Sequence, residues 1–280
     1  MNMVKILSDS TCDLSAREAE QLGVTIIPMS ISFGDDVYLQ GVNLSTDEFY
    51  EKLSKSQISP TTAQLTPYDL EMIYREETAD GSEVVAIHLS SVLSGTYNSA
   101  ALAASEVNGV YPVDSLNATF GIAILVRAAT KLRDRGKSAA EIAEELTVLS
   151  KRVRLYAHIP SLKYLVRGGR VSAAAGVIGG VLNICPIIGV RDGAVVTLGK
   201  ARGKAAACRE IARLAGMDEI DPEYGVAFAH AKDRQALAEL KTHLEPLISG
   251  HKESAEIEVG PVIGTHTGSG AAGIVFIAKP

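Results

Sequence analysis

The sequence predicts an α/β fold in two domains: an N-terminal parallel-sheet α/β domain over residues 1–152 and a C-terminal mixed α+β domain over residues 153–280. Three observations indicate this fold class. Up to about residue 152, apolar strand-like segments alternate with capped helical segments, which is the pattern of parallel βαβ units. Beyond that point the pattern becomes mixed and includes a hairpin. The length of 280 residues allows one large domain or two of ordinary size.

The first half is predicted from short apolar runs and from helix-start signals. Three helices begin with a Ser-x-x-Glu capping box, and one begins with a proline at its first position, where the missing N–H costs nothing. In chain order, the predicted elements are strand 4–7, a helix from Ser15 to Gly23, strand 24–33, a turn at 34–36, helices starting at Ser45 and Thr66, strand 83–89, a helix from Ser94, strand 110–113, a helix from Asn117 to about Arg135 and a helix from Ser138.

The second half is predicted in the same way, with less regular alternation. In order, it contains strand 154–159, a short helix over 161–168, an apolar helix over 172–184, a strand, a hairpin across Asp192-Gly193, a helix over about 204–214, strand 224–229, a helix over 233–247 and strands 255–259 and 274–278. No internal repeat is visible in either half.

An uncharged segment between Arg170 and Arg191 is about as long as a membrane span. It holds Pro186 and four glycines and leads into the tight-turn sequence Asp192-Gly193. Because a lone internal apolar run broken by proline rarely inserts into a bilayer, we interpret the segment as a buried helix over 172–184 followed by a strand. Its small side chains would let a ligand come close.

The composition excludes several classes of protein. The formal net charge is −6, whereas a general nucleic-acid binder would carry an excess of basic residues. Cys12, Cys185 and Cys208 are odd in number and far apart, so they predict neither a disulfide framework nor a Cys-x-x-Cys metal or redox motif. The chain holds no P-loop and no dinucleotide fingerprint, and we expect no cofactor and no metal. The N-terminus turns polar too early for a signal peptide, which favours a cytoplasmic location.

The candidate site residues are hydroxyl side chains at the ends of strand-like segments, where α/β folds bind ligands. Neutral hydrogen-bonding groups with one imidazole suit binding of a carboxylate or phosphate better than acid–base catalysis. Each cluster also has a structural interpretation as a cap or turn, and His88, His158 and His230 are expected to be structural. The clusters are Ser8-Asp9-Ser10-Thr11, Ser59-Pro60-Thr61-Thr62, Ser90-Ser91 with Ser94-Gly95-Thr96, and Gly264-Thr265-His266-Thr267-Gly268.

These clusters, together with other motifs, resemble the DegV family in serial order over essentially the whole chain. That serial agreement is more specific than any one motif. The matching motifs are Ser8-Asp9-Ser10-Thr11-Cys12-Asp13-Leu14, Ser59-Pro60-Thr61-Thr62-Ala63-Gln64, the run from Ser90 to Tyr97, Val113-Asp114-Ser115, Gly168-Gly169-Arg170-Val171, Leu182-Asn183-Ile184 with Pro186, and His266-Thr267-Gly268-Ser269-Gly270.

The resemblance implies a protein that binds a long-chain fatty acid between two domains and catalyses nothing alone. Relatives called FakB present the bound acid to a separate kinase, FakA, which phosphorylates its carboxyl group with ATP, and a transient membrane contact is compatible with this role. The resemblance implies that Arg170 and Arg202 serve the kinase encounter or the acyl phosphate. Cys185 stands where many relatives carry lysine, a departure that concerns kinase recognition rather than lipid binding. The carboxylate-binding residues implied are Thr61 or Thr62, Ser94 with the Gly95 amide, and His266.

A fatty acid agrees with the physical chemistry of these residues. Burying ~14 methylenes at about 0.8 kcal/mol each contributes on the order of 11 kcal/mol before ordering costs. The small apolar residues of 171–182 are a reasonable tunnel lining, and the hydroxyls would offset the cost of burying a carboxylate.

Two other functions remain open from the sequence. One is an acyl hydrolase or acyltransferase with Ser94 as nucleophile and with His266 and Asp114 completing a triad in the chain order of α/β-hydrolases. Against it, Val92 stands where the nucleophile elbow needs glycine. The other is a regulatory protein that senses acyl chains, which would have a partner other than a kinase.

Overall fold

The structure is a computed structural model that describes residues 3–171 and 183–280, apart from the side chains of residues 253 and 254. The predicted helix over 172–184 therefore lies almost entirely outside the described residues. The strands are β1 (Val4–Asp9), β2 (Val24–Ile27), β3 (Ser30–Phe33), β4 (Asp36–Leu39), β5 (Thr61–Ala63), β6 (Glu83–His88), β7 (Val110–Asp114), β8 (Val153–His158), β9 (Ile184–Arg191), β10 (Ala194–Arg202), β11 (Val226–His230), β12 (Glu253–Glu258) and β13 (Ala272–Ile277).

The helices follow the sequence-based assignment closely at their N-termini. Capping boxes at Ser15, Ser45 and Ser138 are present, and Pro67 is the first helical residue of its helix. The helices are α1 (Ala16–Leu22), α2 (Thr46–Lys55), α3 (Pro67–Thr78), α4 (Thr96–Ser105), α5 (Phe120–Asp134), α6 (Ala139–Arg152), α7 (Lys163–Arg167), α8 (Lys204–Ala215), α9 (Arg234–Ile248) and α10 (Pro261–Thr267).

A parallel four-stranded sheet in the order β2-β1-β6-β7 forms the N-terminal half. Its central strands, β1 and β6, are mostly buried on both faces, and successive residues of a strand point to opposite faces of the sheet. Leu7 and Val84 belong to a core shared with Leu70 of α3, whereas Ile6 and Val85 belong to the central core. Helices α3 and α4 therefore cover one face of the sheet, and α5 and α6 lie on the other.

A mixed six-stranded sheet in the order β10-β9-β8-β13-β11-β12 forms the C-terminal half. Helices α8 and α9 pack against one of its faces, where Tyr156, Phe228 and Phe276 are buried. The opposite face meets α5, which also contacts β1 and β6 of the first sheet. Helix α5 is thus the shared layer between the two sheets, and this explains why it is buried almost all round. The predicted fold class is confirmed.

A third, antiparallel sheet in the order β4-β3-β5 differs from the prediction of one continuous strand over 24–33. The chain leaves the first sheet after Ile27, at Pro28, which has no N–H to donate to a sheet ladder. The Met29 amide donates instead to Ser10 Oγ at 3.0 Å. Strand β3 therefore pairs with β5, a segment for which the sequence predicts only an extended stretch or turn.

The change from the first sheet to the second occurs between α6 and β8, next to the predicted boundary at residue 152. A single hydrophobic core nevertheless runs through α5 from one sheet to the other. The division into two domains stays a prediction. Among the helices that the structure describes, none is long and apolar enough to cross a membrane.

Candidate functional site

An apolar cavity of about 220 Å³ lies between the two sheets. The second sheet supplies one wall through Leu155, Ala157, Ile188, Val190 and Val195. Further apolar lining comes from the residue after β6, from the start of α5 with the loop before it, and from α10; these residues are Leu89, Ala118, Phe120, Val262 and Ile263. The tunnel lining predicted over 171–182 lies outside the described residues, except for Val171, which is buried.

Polar side chains gather at one place in this apolar lining. They are the side chains of Thr62, Gln64, Ser94, Arg170 and His266, and the backbone of Gly95 lies beside them. The closest pair is Thr62 Oγ1 and His266 Nε2, at 3.0 Å, from residues 204 positions apart in the chain. Strand β5 carries the threonine and α10 carries the histidine, and these two elements pack together. The cavity therefore combines an apolar body with a polar wall segment that can form hydrogen bonds.

His266 lies near the end of α10, a helix that the sequence-based assignment does not contain. The helix forms because Pro261 occupies its first position and because Gly264 allows close packing on α2. A β-carbon at Gly264 would come within 2.7 Å of Phe49. A β-carbon at Gly168 would lie 2.2 Å from His266 Nδ1, so the imidazole rests directly against the chain after α7.

The imidazole of His266 is neutral at physiological pH. Burial, followed by the nearby Arg170 guanidinium, lowers the pKa of His266 to about 4. Its Nδ1 is buried and has no hydrogen-bond partner among residues 3–171 and 183–280. A neutral ring offers one donor and one acceptor, and which nitrogen carries the proton depends on the tautomer. His266 is thus suited to form hydrogen bonds with a ligand as a neutral ring, and not to form an ion pair with an anion.

Ser94 and Gly95 contribute from the loop before α4. The N-cap of α4 is Gly95, so the alternative structural interpretation of Ser94 as a helix cap is wrong. The Ser94 hydroxyl instead accepts from the Thr96 amide at 3.3 Å and lies 3.0 Å from Thr96 Oγ1. The Ser94 side chain therefore forms an ST-turn, and Ser94 lies on the cavity wall just before α4 begins.

Gln64 is a site residue that the sequence analysis did not identify. Its side-chain amide packs against the α-carbon of Gly95. A β-carbon at Gly95 would come within 2.0 Å of Gln64 Oε1. The Gln64 Nε2 also donates to Ser99 Oγ at 3.3 Å. Gln64 closes the motif Ser59-Pro60-Thr61-Thr62-Ala63-Gln64, but its contacts with Gly95 and Ser99 depend on tertiary packing that the motif does not show.

We expect Gly95→Ala to weaken ligand binding by about tenfold, equivalent to ~1.4 kcal/mol. The added methyl group would displace the Gln64 amide from the polar wall of the cavity. Gly199→Ala is the matched control, since no described atom lies within 4 Å of a β-carbon built there. Isothermal titration of both variants with the ligand checks this prediction. Equal affinities for the two variants would show that the Gly95 contact is unimportant.

The two arginines occupy different environments. Arg170 lines the cavity, and its guanidinium donates from Nε to Leu93 O at 3.1 Å and from Nη1 to Gly168 O. Arg202 is exposed at the end of β10 and does not line the cavity. Thr61 is likewise exposed, on the strand that pairs with β3, and is not part of the lining. Of the residues that the sequence analysis proposed, the cavity thus brings together Thr62, Ser94, Gly95, His266 and Arg170.

The hydrolase alternative needs contacts that the structure does not form. The hydrogen bond described for His266 Nε2 goes to Thr62, and the Ser94 hydroxyl bonds to Thr96. Asp114 Oδ1 accepts from the amides of Ser91 and Leu116, at 3.2 and 3.0 Å. The residues of the suggested triad are therefore not connected to one another in this structure.

The cluster Ser8-Asp9-Ser10-Thr11, at the end of β1, forms structural hydrogen bonds and does not line the cavity. Asp9 Oδ2 lies 3.1 Å from His88 Nδ1, and His88 Nε2 lies 2.9 Å from the Tyr74 hydroxyl. All three side chains are fully buried. The structural interpretation of His88 is therefore correct. Among the described residues, no group of three or more His, Cys, Asp or Glu could hold a metal ion.

Comparisons with known proteins match the full length of the chain. The family model described as an uncharacterised protein of the DegV family matches residues 3–279. A DegV domain-containing protein of Clostridium acetobutylicum is 32% identical over 281 residues, with 100% of both chains covered. A solved structure described as fatty acid binding of a DegV family protein from Thermus thermophilus has a TM-score of 0.88 at 31% identity and covers 99% of this chain and 100% of its own. DegV, a fatty acid binding protein from Bacillus subtilis, has a TM-score of 0.86 at 31% identity, with 100% of both chains covered.

Proposed function

The chain belongs to the DegV family, and we propose from this premise that it binds a long-chain fatty acid in the cavity between its two sheets. The resemblance inferred from its motifs is thus confirmed. The observation that carries the proposal is the Thr62–His266 pair, which places hydrogen-bonding groups in a mostly apolar lining. The similarity to fatty acid-binding structures that are 31% identical supports it.

The acyl chain would occupy the apolar part of the cavity, and the carboxylate would lie at the polar wall. Burying an ionised carboxylate without partners is costly, whereas hydrogen bonds from hydroxyl and amide groups offset that cost. Ser94, the Gly95 amide and Thr62 supply neutral donors. Arg170 supplies a positive charge close to His266, since it contributes to lowering the histidine pKa. We therefore assign Arg170 to the carboxylate in addition to its proposed role toward a partner.

The protein would act as a carrier that catalyses nothing alone and presents its ligand to a separate fatty acid kinase. The polar groups named above hold the carboxyl group without reacting with it, so that a carboxyl oxygen stays available as a nucleophile. A chromogenic acyl ester tests the non-enzymatic role. Turnover that Ser94→Ala abolishes would contradict the carrier and support a hydrolase.

Mass spectrometry of the protein purified from a bacterial host tests fatty acid binding directly. We expect a stoichiometric acyl ligand in the native spectrum, and we expect organic extraction to release it as a free fatty acid. A protein that is empty on purification and also takes up no added fatty acid would overturn the proposal.

We expect Arg202→Ala to leave the fatty acid affinity unchanged within about twofold, because Arg202 is exposed outside the cavity. Phosphorylation of the bound acid by a kinase of the FakA type should fall, since a cation at a partner surface affects association and contact with phosphate. A radiolabelled-ATP assay with preloaded protein measures the phosphorylation. Lys200→Ala, on the same strand, is the control for a general loss of charge. If Arg202→Ala reduces lipid affinity, the division between lipid site and partner site is wrong.

A further inference from the structure

Asp13 joins three separate parts of the chain at the boundary between the two halves. It caps the short 3-10 helix over Ser10–Cys12, and its side chain is buried with 8% exposed. Asp13 Oδ1 accepts from Gln40 Nε2 at 3.0 Å, and Gln40 Oε1 accepts from the Val262 amide at 2.8 Å. The backbone of Gly260 lies against the same carboxyl group, since a β-carbon there would be 2.5 Å from Oδ1. Asp13 thus holds the start of α10, the helix that carries His266.

The same carboxyl group is next to the wall of the cavity. The Thr119 hydroxyl contacts Asp13, and Thr119 itself lines the cavity immediately before α5. Thr119 has φ 48° and ψ −126°, a strained conformation for a β-branched residue. Such a conformation persists only where the surroundings impose it. Asp13 therefore touches both segments that bound the cavity at this edge.

Two polar atoms at this junction are buried and lack a partner within residues 3–171 and 183–280. Asp13 Oδ2 and Thr119 Oγ1 have no hydrogen bond of good geometry to any described residue. A protonated carboxyl group can donate a hydrogen bond there, whereas an ionised one can only accept. An ionised carboxylate would also be a buried charge that accepts only from neutral groups, namely the Gln40 side-chain amide and the Gly260 backbone amide.

The surrounding charged groups do not favour an anion at this position. Asp9 and the Tyr50 phenol are close to Asp13. Burial, together with the Asp9 carboxylate, raises the pKa of Asp13 to about 7 against the donors just named. The cleft that Asp13 lines on its solvent side holds three further carboxyl groups, of which Glu18 pairs with Arg127 and Glu258 with Lys232. The other charged or titratable residues that line this cleft are Glu256, His230 and Arg234.

We propose that Asp13 is a protonation-dependent latch that holds the fatty acid cavity closed when its carboxyl group is neutral and weakens that closure when it ionises. The proposal rests on the proposed function, because the cavity is taken as the fatty acid site. The latch acts on two contacts at once: it joins Gly260 at the start of α10, and it supports Thr119 on the cavity wall.

The direction of the pH effect follows from proton binding. In an opened state that exposes Asp13 to water, its carboxyl group would titrate near the ordinary value of about 4. The closed state, with its raised pKa, binds more protons between that value and about 7. Closure therefore loses stability as pH rises from about 4 to about 7 and is constant above that range. Release of the fatty acid should accelerate over the same interval.

Stopped-flow transfer of a fluorescent fatty acid from preloaded protein to phosphatidylcholine vesicles, between pH 5 and pH 8, tests the latch. We expect the release rate of the wild-type protein to increase at least tenfold across this range. Asp13→Asn should release slowly at every pH, because asparagine is neutral and tolerates the positive φ of 55° at this position. Glu258→Gln removes a nearby charge and leaves Asp13 intact, so its release should follow the wild-type pH profile.

The bound fatty acid also titrates, and the asparagine variant separates the two groups. If Asp13→Asn keeps the wild-type pH dependence, or if wild-type release does not vary with pH, the latch is wrong while fatty acid binding stands. If no fluorescent fatty acid binds at any pH, the proposed function itself fails. Should Asp13→Asn not fold, carbon-13 NMR of aspartate carboxyl groups in the loaded wild-type protein decides. A buried aspartate that titrates near pH 7 supports the latch, and aspartates that are all ionised above pH 5 exclude it.

Discussion

Ala157→Phe is expected to abolish binding of long-chain fatty acids while the protein stays folded. Ala157 lies on β8, is 6% exposed and lines the cavity on the face of the sheet that meets α5. A phenyl ring at this position would occupy space that the acyl chain needs. Each excluded methylene forfeits about 0.8 kcal/mol, so displacing four of them costs about 3 kcal/mol, or more than a hundredfold in affinity.

A graded series makes this prediction sharper. Valine, leucine and phenylalanine at position 157 should progressively shorten the longest chain recovered by extraction and mass spectrometry. Overpacking a filled core costs 1–3 kcal/mol, but here the new side chain enters an existing cavity. Thermal unfolding of the variants without ligand should therefore stay close to that of the wild type. Ala101→Phe, on the exposed surface of α4, is the control for added apolar area. Full occupancy by an 18-carbon acid in folded Ala157→Phe would exclude this cavity as the binding site.

Much of the fold could be predicted from the sequence because its main signals are local. The capping boxes at Ser15, Ser45 and Ser138 satisfy backbone donors within four residues, so they indicate helix starts without knowledge of the tertiary structure. The parallel strands of the first half are apolar runs that need only burial on both faces. The hairpin at Asp192-Gly193 has the same local origin, since both residues adopt positive φ.

The elements that could not be predicted depend on distant contacts. Strand β5 is three residues long, with sequence Thr-Thr-Ala, and it is a strand because β3 pairs with it. Helix α10 contains Gly264 and two threonines, residues that disfavour helices. The glycine is needed because Phe49 and Tyr50 occupy the space where its β-carbon would lie. Local propensity therefore indicated a loop where packing produces a helix.

The candidate site shows the same limit. Thr62, Ser94, Gly95 and His266 could be selected from the sequence by their residue types and motifs, and the structure places all four on one cavity. The motif Ser-Pro-Thr-Thr could not separate Thr61 from Thr62, because only the position of β5 against α10 distinguishes them. Gln64 and Thr119 were not assigned to the site for a similar reason. Their roles depend on what they touch, namely Gly95 and Asp13, and not on their neighbours in the chain.

Thr62→Val is expected to weaken fatty acid binding by about ten- to a hundredfold. Valine has nearly the same shape and suits a strand, so β5 should persist. The substitution removes a hydroxyl donor from the proposed carboxylate site and takes away the partner of His266 Nε2. Because His266 Nδ1 already has no partner among the described residues, neither ring nitrogen would then have a hydrogen bond to them in the unliganded protein. A hydrogen bond to a charged group contributes about 1.5–3 kcal/mol, which sets the expected range.

Thr61→Val is the matched control, because it makes the same chemical change one residue away on the exposed side of β5. Its affinity should equal that of the wild type within about twofold, the usual range for a surface substitution. Titration with a fatty acid and with the methyl ester of the same acid separates the polar site from the apolar cavity. Thr62→Val should weaken binding of the acid more than that of the ester, since only the acid offers a carboxylate. Combining it with His266→Ala should give less than the sum of the two single effects, because both remove the same hydrogen bond. Equal losses for Thr61→Val and Thr62→Val, or equal losses for acid and ester, would place the carboxylate elsewhere in the cavity.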